Sequence, residues 1–350
     1  MSRPVGTLVG AFVRRFFPAA LLLLGAGTFA AAAGKVTIKL GTLAPRGTSY
    51  HKTLMAMGEK WRTTSGGAVK LVIFPDGTQG GEADMVGLMQ TGSLDAGMLT
   101  GVGLSEIEKG VSALGGTPMN YRNLDELEYV IEKLRPTLEK RMLEKGFVVL
   151  FWGDSGFVRF FSKKPLVHPD DLRRAKFFCW AGNAEEFDLW KSAGYHPVAL
   201  ETVNIMPSLQ TGLIDTVAMP PFFALASQLD AQASNMLLLN WGPLVGGTVV
   251  TRKTWERIPA ELRPALLKAA ADAGREIKAA GRAENERSVE ALKKRGVKVT
   301  VPTPEIEAAW RKAVDPYRDK IRGRLVPADL FDEVARFLKE YRAQSGAAGQ

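Results

Sequence analysis

Apolar and polar residues alternate along Val36-Thr37-Ile38-Lys39-Leu40, which predicts a half-buried strand. The period then lengthens. Tyr50, Leu54, Met57 and Trp61 recur every three or four positions, a helix that Thr48 or Ser49 caps and Ser65-Gly66-Gly67 ends. Val69 to Phe74 reads as a second strand, and Pro75-Asp76-Gly77 turns the chain. Asn123 and Glu126 open a helix with Leu124, Leu127, Ile131 and Leu134 on one face. After Gly146, the unbroken apolar run Phe147 to Trp152 fits a strand buried on both faces. Further on, Phe157 to Ser162, Lys176 to Trp180, Tyr195 to Leu200, Leu237 to Trp241 and Thr248 to Arg252 read as extended. A helical turn starts at His168-Pro169, and Ala184 to Ala193 is a helix stopped by Gly194. Pro259 to Arg295 is one long helical stretch, with Gly274 or Gly281 as the place of a bend. Strand and helix in alternation define an α/β protein.

One unit of this pattern is written twice. Gln90-Thr91-Gly92-Ser93-Leu94-Asp95 and Gln210-Thr211-Gly212-Leu213-Ile214-Asp215 each follow a helical stretch and precede a short apolar run, Ala96 to Leu99 and Thr216 to Met219. Glycine at the end of a helix adopts the left-handed cap without steric cost. Two helix–Gly–strand units predict two similar lobes, and such proteins hold a small ligand in the cleft between them.

The N-terminus changes the picture of where the protein works. Arg3, Arg14 and Arg15 precede or border an apolar core, Phe16 to Phe29, and Ala31-Ala32-Ala33 supplies small residues for cleavage. Residues 1–33 are therefore expected to be a signal peptide cleaved near Ala33, of the general secretory type, although Arg14-Arg15-Phe16-Phe17 has part of a twin-arginine pattern. The formal charge of +9 drops to about +6 without these arginines. The basic residues fall on predicted exposed helix faces, so nucleic acid is not an expected partner. A single cysteine, Cys179, rules out a disulfide within the chain.

Catalytic chemistry is poorly provided for. Cys179 follows Phe178 in an apolar strand with no histidine near in sequence, and a buried cysteine there is expected to be inert. His51, His168 and His196 lack the paired spacing of zinc ligands. There is no Gly-x-Ser-x-Gly elbow and no phosphate-binding loop. Asp154-Ser155 has no evident base. The expectation is a protein without enzymatic activity, metal or cofactor; a periplasmic hydrolase or a sensory ligand-binding protein is the rival class.

Several short segments, taken in order, resemble the periplasmic solute-binding subunit of tripartite ATP-independent periplasmic (TRAP) transporters. They are Leu40-Gly41-Thr42-Leu43-Ala44-Pro45, Phe74-Pro75-Asp76-Gly77, Gly80-Gly81-Glu82, Leu88 to Gly92, Lys164 to Leu172, Gly194 to Val198, and Leu209 to Asp215. The resemblance implies a two-lobed α/β periplasmic-binding-protein-like fold with mixed sheets, crossover strands and a long hinge helix. On this reading lobe I comprises residues 35–155 plus about 244–286, lobe II residues 156–243 plus about 287–344, and residues 345–350 form a flexible tail. The implied partners are a small-molecule ligand and inner-membrane permease subunits.

At one position the chain departs from the family. Family members resembling this chain place a carboxylate-gripping arginine in Gly-Leu-Lys-Ile-Arg-Val-Pro; here the stretch is Arg174-Ala175-Lys176-Phe177-Phe178-Cys179-Trp180, with Phe178 at the clamp position. Thr216-Val217-Ala218-Met219-Pro220 likewise stands where Gly-Gln-Glu-Asn-Pro is usual. Phe178, Trp180, Phe157, Met219, Phe222 and also Phe223 are therefore expected to line an apolar cleft for a hydrophobic or amphipathic solute. Phe177 and Phe178 point to opposite faces of their strand, and a slip of one residue would exchange their roles. The alternative is an organic-acid receptor with a relocated arginine: Arg159 on the crossover strand, or Arg173 in a turn. Trp152, Trp180 and Trp190 resemble the pattern of an arginine-lacking branch that works with a tetratricopeptide-repeat protein.

Overall fold

The computed structural model describes residues 35–347. The expected signal peptide lies outside these residues, as do the last three positions of the expected tail. The strands are β1 (Val36–Thr42), β2 (Val69–Phe74), β3 (Ala96–Thr100), β4 (Phe147–Phe157), β5 (Arg159–Ser162), β6 (Lys176–Trp180), β7 (His196–Leu200), β8 (Thr216–Met219), β9 (Asn235–Leu237), β10 (Pro243–Thr251) and β11 (Lys298–Thr300). They form two mixed sheets, one ordered β2-β1-β3-β10-β4 and the other β11-β9-β5-β8-β6-β7. Each sheet has apolar clusters against its helices. The first sheet and its helices are called lobe I, the second lobe II. The chain passes directly from β4 into β5, and β10 returns beside β4 with Pro243 opposite Phe157. This is the expected two-lobed fold with crossover strands.

The repeated hexapeptide does the same job in each lobe. Gly92 and Gly212 take the left-handed conformation at φ of 80° and 74° and end their helices. Asp95 then accepts from the Lys39 amide at 2.9 Å while its own amide donates to the Lys39 carbonyl, also at 2.9 Å. Asp215 makes the matching pair with Lys176, at 3.1 and 2.8 Å. In each lobe the aspartate ties the start of one strand to a neighbouring strand. The register therefore follows from a local motif.

A helix of 32 residues, Arg263–Lys294, runs for about 48 Å at the standard rise. Its first half buries Leu266, Ala270, Ala273 and Ile277 in lobe I, and Leu292 belongs to a lobe II cluster. Trp61 fixes its start by donating to the Leu266 carbonyl at 2.9 Å. The helix is continuous through Gly274 and Gly281. Neither glycine serves as a break: a Cβ at Gly274 would lie 2.7 Å from the Phe151 side chain, and one at Gly281 would lie 2.2 Å from the Tyr50 hydroxyl. The glycines let a strand and a helix approach the backbone closely.

The C-terminal region departs from the expected division. Trp310, in the helix Pro304–Val314, packs in a lobe II cluster, but the last helix, Ala328–Ala347, buries Leu330, Val334, Phe337 and Leu338 in the lobe I core. That stripe fits the face of the helix Leu124–Glu144, a long-range pairing that periodicity leaves open.

Candidate functional site

The carboxyl ends of strands β1, β3, β6 and β8 point at one another across the lobes. Their last residues, Thr42, Thr100, Trp180 and Met219, all line an inner chamber of about 90 Å³. Tyr50, Glu82, Asp154, Ser155 and Phe222 also contribute to its wall. An outer chamber of about 400 Å³ adjoins it, with Trp180, Leu244 and Val245 common to both. Lobe I contributes Ser105, Glu106 and Lys109 to the outer chamber, while lobe II contributes Phe178, Asn183 and Glu186. Lys109 Nζ reaches across to Glu185 Oε1 at 2.5 Å.

The chamber walls are held by polar groups whose partners are far away in sequence. Glu82 is buried and accepts from the Thr100 amide at 2.6 Å, the Thr100 hydroxyl at 2.5 Å and the Gly103 amide at 2.9 Å. Burial nevertheless holds its carboxyl above the usual carboxylate range. Asp154 accepts from the Gly156 amide at 3.0 Å and from Arg282 of the long helix at 2.8 Å. Tyr50 donates to Ser155 Oγ at 3.0 Å. Asn285 bridges the lobes: its Oδ1 accepts from the Phe222 amide at 3.0 Å and its Nδ2 donates to the Ser155 carbonyl. Gly156 sits beneath it at φ +72°, where a Cβ would lie 2.4 Å from Asn285 Nδ2.

The residues expected from sequence divide. Trp180, Met219, Phe222 and Phe223 line the inner chamber, and Phe178 with Trp180 lines the outer one. Phe157 and Arg159 are in neither wall. The apolar members are also distributed among separate cores: Phe157 in the first lobe I cluster, Phe222 in the second, and Phe178 with Met219 in lobe II. Phe177 packs on the opposite face from Phe178, as the pleat requires. Arg173 donates to the Ala193 carbonyl at 2.9 Å and stacks over Tyr195, away from both chambers.

Arg159 is the distinctive charge. Its Nη1 donates to the Leu239 carbonyl at 3.1 Å, its Nε is buried without a partner, and its guanidinium lies 5.6 Å from the Phe157 ring centre. Among the described residues no carboxylate forms a salt bridge with it. Burial pushes its pKa down to about 10, so it stays charged at neutral pH. Opposite it in the β5–β8 ladder is Met219, on the same face of the sheet. Arg159 therefore stands one cross-strand step from the inner chamber.

Thr42, Thr100, Lys109, Asn183 and Glu186 were not anticipated as site residues. Thr42 and Thr100 carried a usable signal, because each ends an apolar run just before a turn into a helix, the place where open α/β sheets bind ligands. Lys109, Asn183 and Glu186 carried none. Cys179 is buried, and burial raises its thiol pKa, which leaves no thiolate for nucleophilic chemistry. No group of metal-ligating side chains occurs among the described residues.

Two lobes joined by crossovers and braced by one long helix, with a chamber at the strand ends, form an architecture that can enclose a small ligand. Residues 40–323 match the bacterial extracellular solute-binding protein family 7 (DctP), and the chain belongs to that family. By family it is accordingly a solute-binding protein. The C4-dicarboxylate-binding periplasmic protein DctP of Rhodobacter capsulatus is 26% identical over 189 residues, which cover 54% of this chain and 56% of that one. A solute-binding protein of Roseobacter denitrificans is 29% identical over 190 residues, covering 53% and 57%. The chain thus spans little more than half the length of these two curated relatives. Among solved structures, the TRAP periplasmic solute-binding protein of Sulfurospirillum deleyianum with bound succinate superposes with a TM-score of 0.79 at 22% identity, covering 86% of this chain and 99% of that one. One from Haemophilus influenzae with bound L-gulonate gives 0.80 at 20% identity, covering 87% and 99%. One from Fusobacterium nucleatum with bound sn-glycerol-3-phosphate gives 0.80 at 21%, covering 89% and 99%.

These findings overturn the expectation of a hydrophobic or amphipathic ligand. The ligands held by these similar folds are polar and anionic. The physical reason for the error is visible in the cores: the aromatic count along the sequence measured side chains that mostly pack the lobes, 4% exposed for Phe178 and 7% for Phe157 and Phe222. A buried aromatic beside a cleft does not by itself make the ligand apolar.

Proposed function

We propose that this chain is the exported receptor of a TRAP-type secondary transporter that captures a small organic acid, of the carboxylate or sugar-acid kind, between its lobes. The closed complex is handed to an inner-membrane permease, the partner the family implies. The observation that carries the reading is Arg159: a half-buried guanidinium in no salt bridge, its charge answered only at a distance by Glu286, with an idle buried Nε, one strand away from the chamber. Partial desolvation of this charge is unfavourable, and a bound carboxylate relieves that cost through charge-assisted hydrogen bonds. To touch a ligand in the cleft, the side chain has to swing past Met219, its cross-strand neighbour. Nothing in the fold or the relatives speaks for an arginine-lacking branch or a tetratricopeptide-repeat partner, so neither is part of the reading.

The test is calorimetric titration of the mature protein with succinate, D-glucuronate, L-gulonate and sn-glycerol-3-phosphate, repeated on Arg159→Ala. At least one acid is expected to bind with a Kd on the order of 1 µM, equivalent to about 8 kcal/mol. Arg159→Ala is expected to weaken it by about 2–5 kcal/mol. An affinity unchanged in Arg159→Ala removes the relocated clamp, and no heat with any acid removes the ligand class.

A further inference from the structure

A second concave site lies away from the cleft. The loop Met119 to Arg122, the turn at Leu239 and Asn240, and the last three helices, Pro304–Val314, Arg318–Ile321 and Ala328–Ala347, enclose a cavity of about 580 Å³. It shares no wall residue with either chamber of the cleft. Four arginines line it, Arg122, Arg311, Arg318 and Arg342, against one carboxylate, Glu307.

Three of these guanidinium groups converge on two adjacent residues. Arg311 Nη1 donates to the Met119 carbonyl at 3.0 Å, Arg318 Nη1 to Asn120 Oδ1 at 3.4 Å, and Arg342 Nη2 to the Asn120 carbonyl at 2.9 Å. Met119 is held at φ +52°, a conformation rare for a residue with a long side chain. The loop thus presents neutral acceptors that gather like charges. Arg342 alone is met by a buried carboxylate, Glu126, at 2.7 and 2.8 Å. Arg318 meets the exposed Asp315 at 3.3 Å; the guanidinium groups of Arg122 and Arg311 form no salt bridge among the described residues, although the Arg122 main-chain amide donates to Glu126 at 2.8 Å.

We propose that this pocket binds a small soluble oxyanion of the phosphate or phosphate-monoester class, independently of the acid taken up in the cleft. Planar guanidinium forks approaching from separate elements match the several oxygens of a phosphate, and the anion offsets repulsion that backbone carbonyls leave in place. Concavity favours a small ligand over a flat protein surface. The walls come from the loop before a lobe I helix, from a lobe II turn and from the C-terminal helices, so an occupant ties these elements together.

The experiment titrates mature full-length protein with inorganic phosphate in a phosphate-free buffer, by calorimetry and phosphorus NMR. It is repeated on the double variant Arg311→Gln/Arg318→Gln and on the charge-preserving Arg311→Lys. Saturable one-to-one binding is expected, at least tenfold weaker in the double variant and less affected in Arg311→Lys. Affinity for the cleft acid should change less than twofold in the same double variant, which shows that it folds. Absence of saturation, or phosphate affinity unchanged in the folded double variant, overturns the proposal. Tighter binding of an aspartate-rich peptide than of phosphate at the same arginines also overturns it, in favour of a protein-docking surface.

Discussion

Gly156→Ala tests whether the crossover is locked by Asn285. Two costs follow from the geometry. Alanine at φ +72° carries a left-handed penalty of about 1–2 kcal/mol. Its Cβ also takes space 2.4 Å from Asn285 Nδ2. That atom ends a flexible side chain, so the clash alone is cheap to relieve. Asn285 is, however, bound at both ends, to the Ser155 carbonyl and to the Phe222 amide at 3.0 Å. Moving it gives up two hydrogen bonds worth about 1 kcal/mol each and leaves a buried amide unmatched. The sum is about 3–5 kcal/mol. Asn285→Ala alone should cost about 2–3 kcal/mol, because it loses the same bonds without strain. In that background Gly156→Ala adds only the backbone penalty, so the two substitutions couple by about 2 kcal/mol. Urea unfolding followed by circular dichroism measures all four corners of the cycle, with an unchanged denaturant slope expected. If Gly156→Ala costs as much in the Asn285→Ala background as in the wild type, the lock does not exist.

Three further outcomes follow from the same structure. Burial raises the Glu82 carboxyl, so the folded state holds that proton more tightly than the unfolded chain; its contribution is full below the ordinary value of 4.5 and is lost as pH rises through the folded value. The stability of the wild type relative to Glu82→Gln should therefore decline upward from about pH 4.5, and urea midpoints that track each other across pH refute this. Cys179 should react with iodoacetamide only as fast as the protein unfolds, because its thiol is buried and its pKa raised; mass spectrometry showing rapid native labelling contradicts that burial. Lys109 and Glu185 meet across the outer chamber with side chains 46% and 44% exposed, so Lys109→Ala should weaken acid binding by less than about 1 kcal/mol, roughly fivefold. A hundredfold loss by calorimetry would instead make Lys109 a direct ligand contact.

The parts of the fold that were legible are those decided within a few residues. Gly92 and Gly212 end helices because of their own backbone freedom, and the aspartate after each pairs with the strand beside it. The helix starting at Ser49 announces itself by spacing and is capped by Thr48. What was not legible depends on a distant partner. Gly274 and Gly281 look like breaks in the long helix until Phe151 and Tyr50 are placed against them. The last helix shows an apolar stripe, but a stripe does not name the lobe it will cover. Arg342, on that helix, binds Glu126 through a separation of 216 residues, which no local pattern contains.

The site divides along the same line, and the division bears on the missing clamp. In an open α/β sheet a ligand meets the carboxyl ends of strands, so the final residue of each strand faces the cleft whatever its type. Thr42, Thr100, Trp180 and Met219 obey this rule and meet in one chamber although they comprise two threonines, a tryptophan and a methionine. Phe178 stands two residues short of its strand end and packs edge-on to Trp180 with ring centres 5.2 Å apart. A phenylalanine there exchanges a charge for core packing and removes the clamp without determining what replaces it. On the organic-acid reading proposed above, the replacement comes from another strand that passes the chamber, and β5, which runs beside β8 and sets Arg159 opposite Met219, is such a strand. Chain position thus identifies who faces the cleft, while the identity of the anion contact depends on a cross-strand pairing that only the folded register supplies.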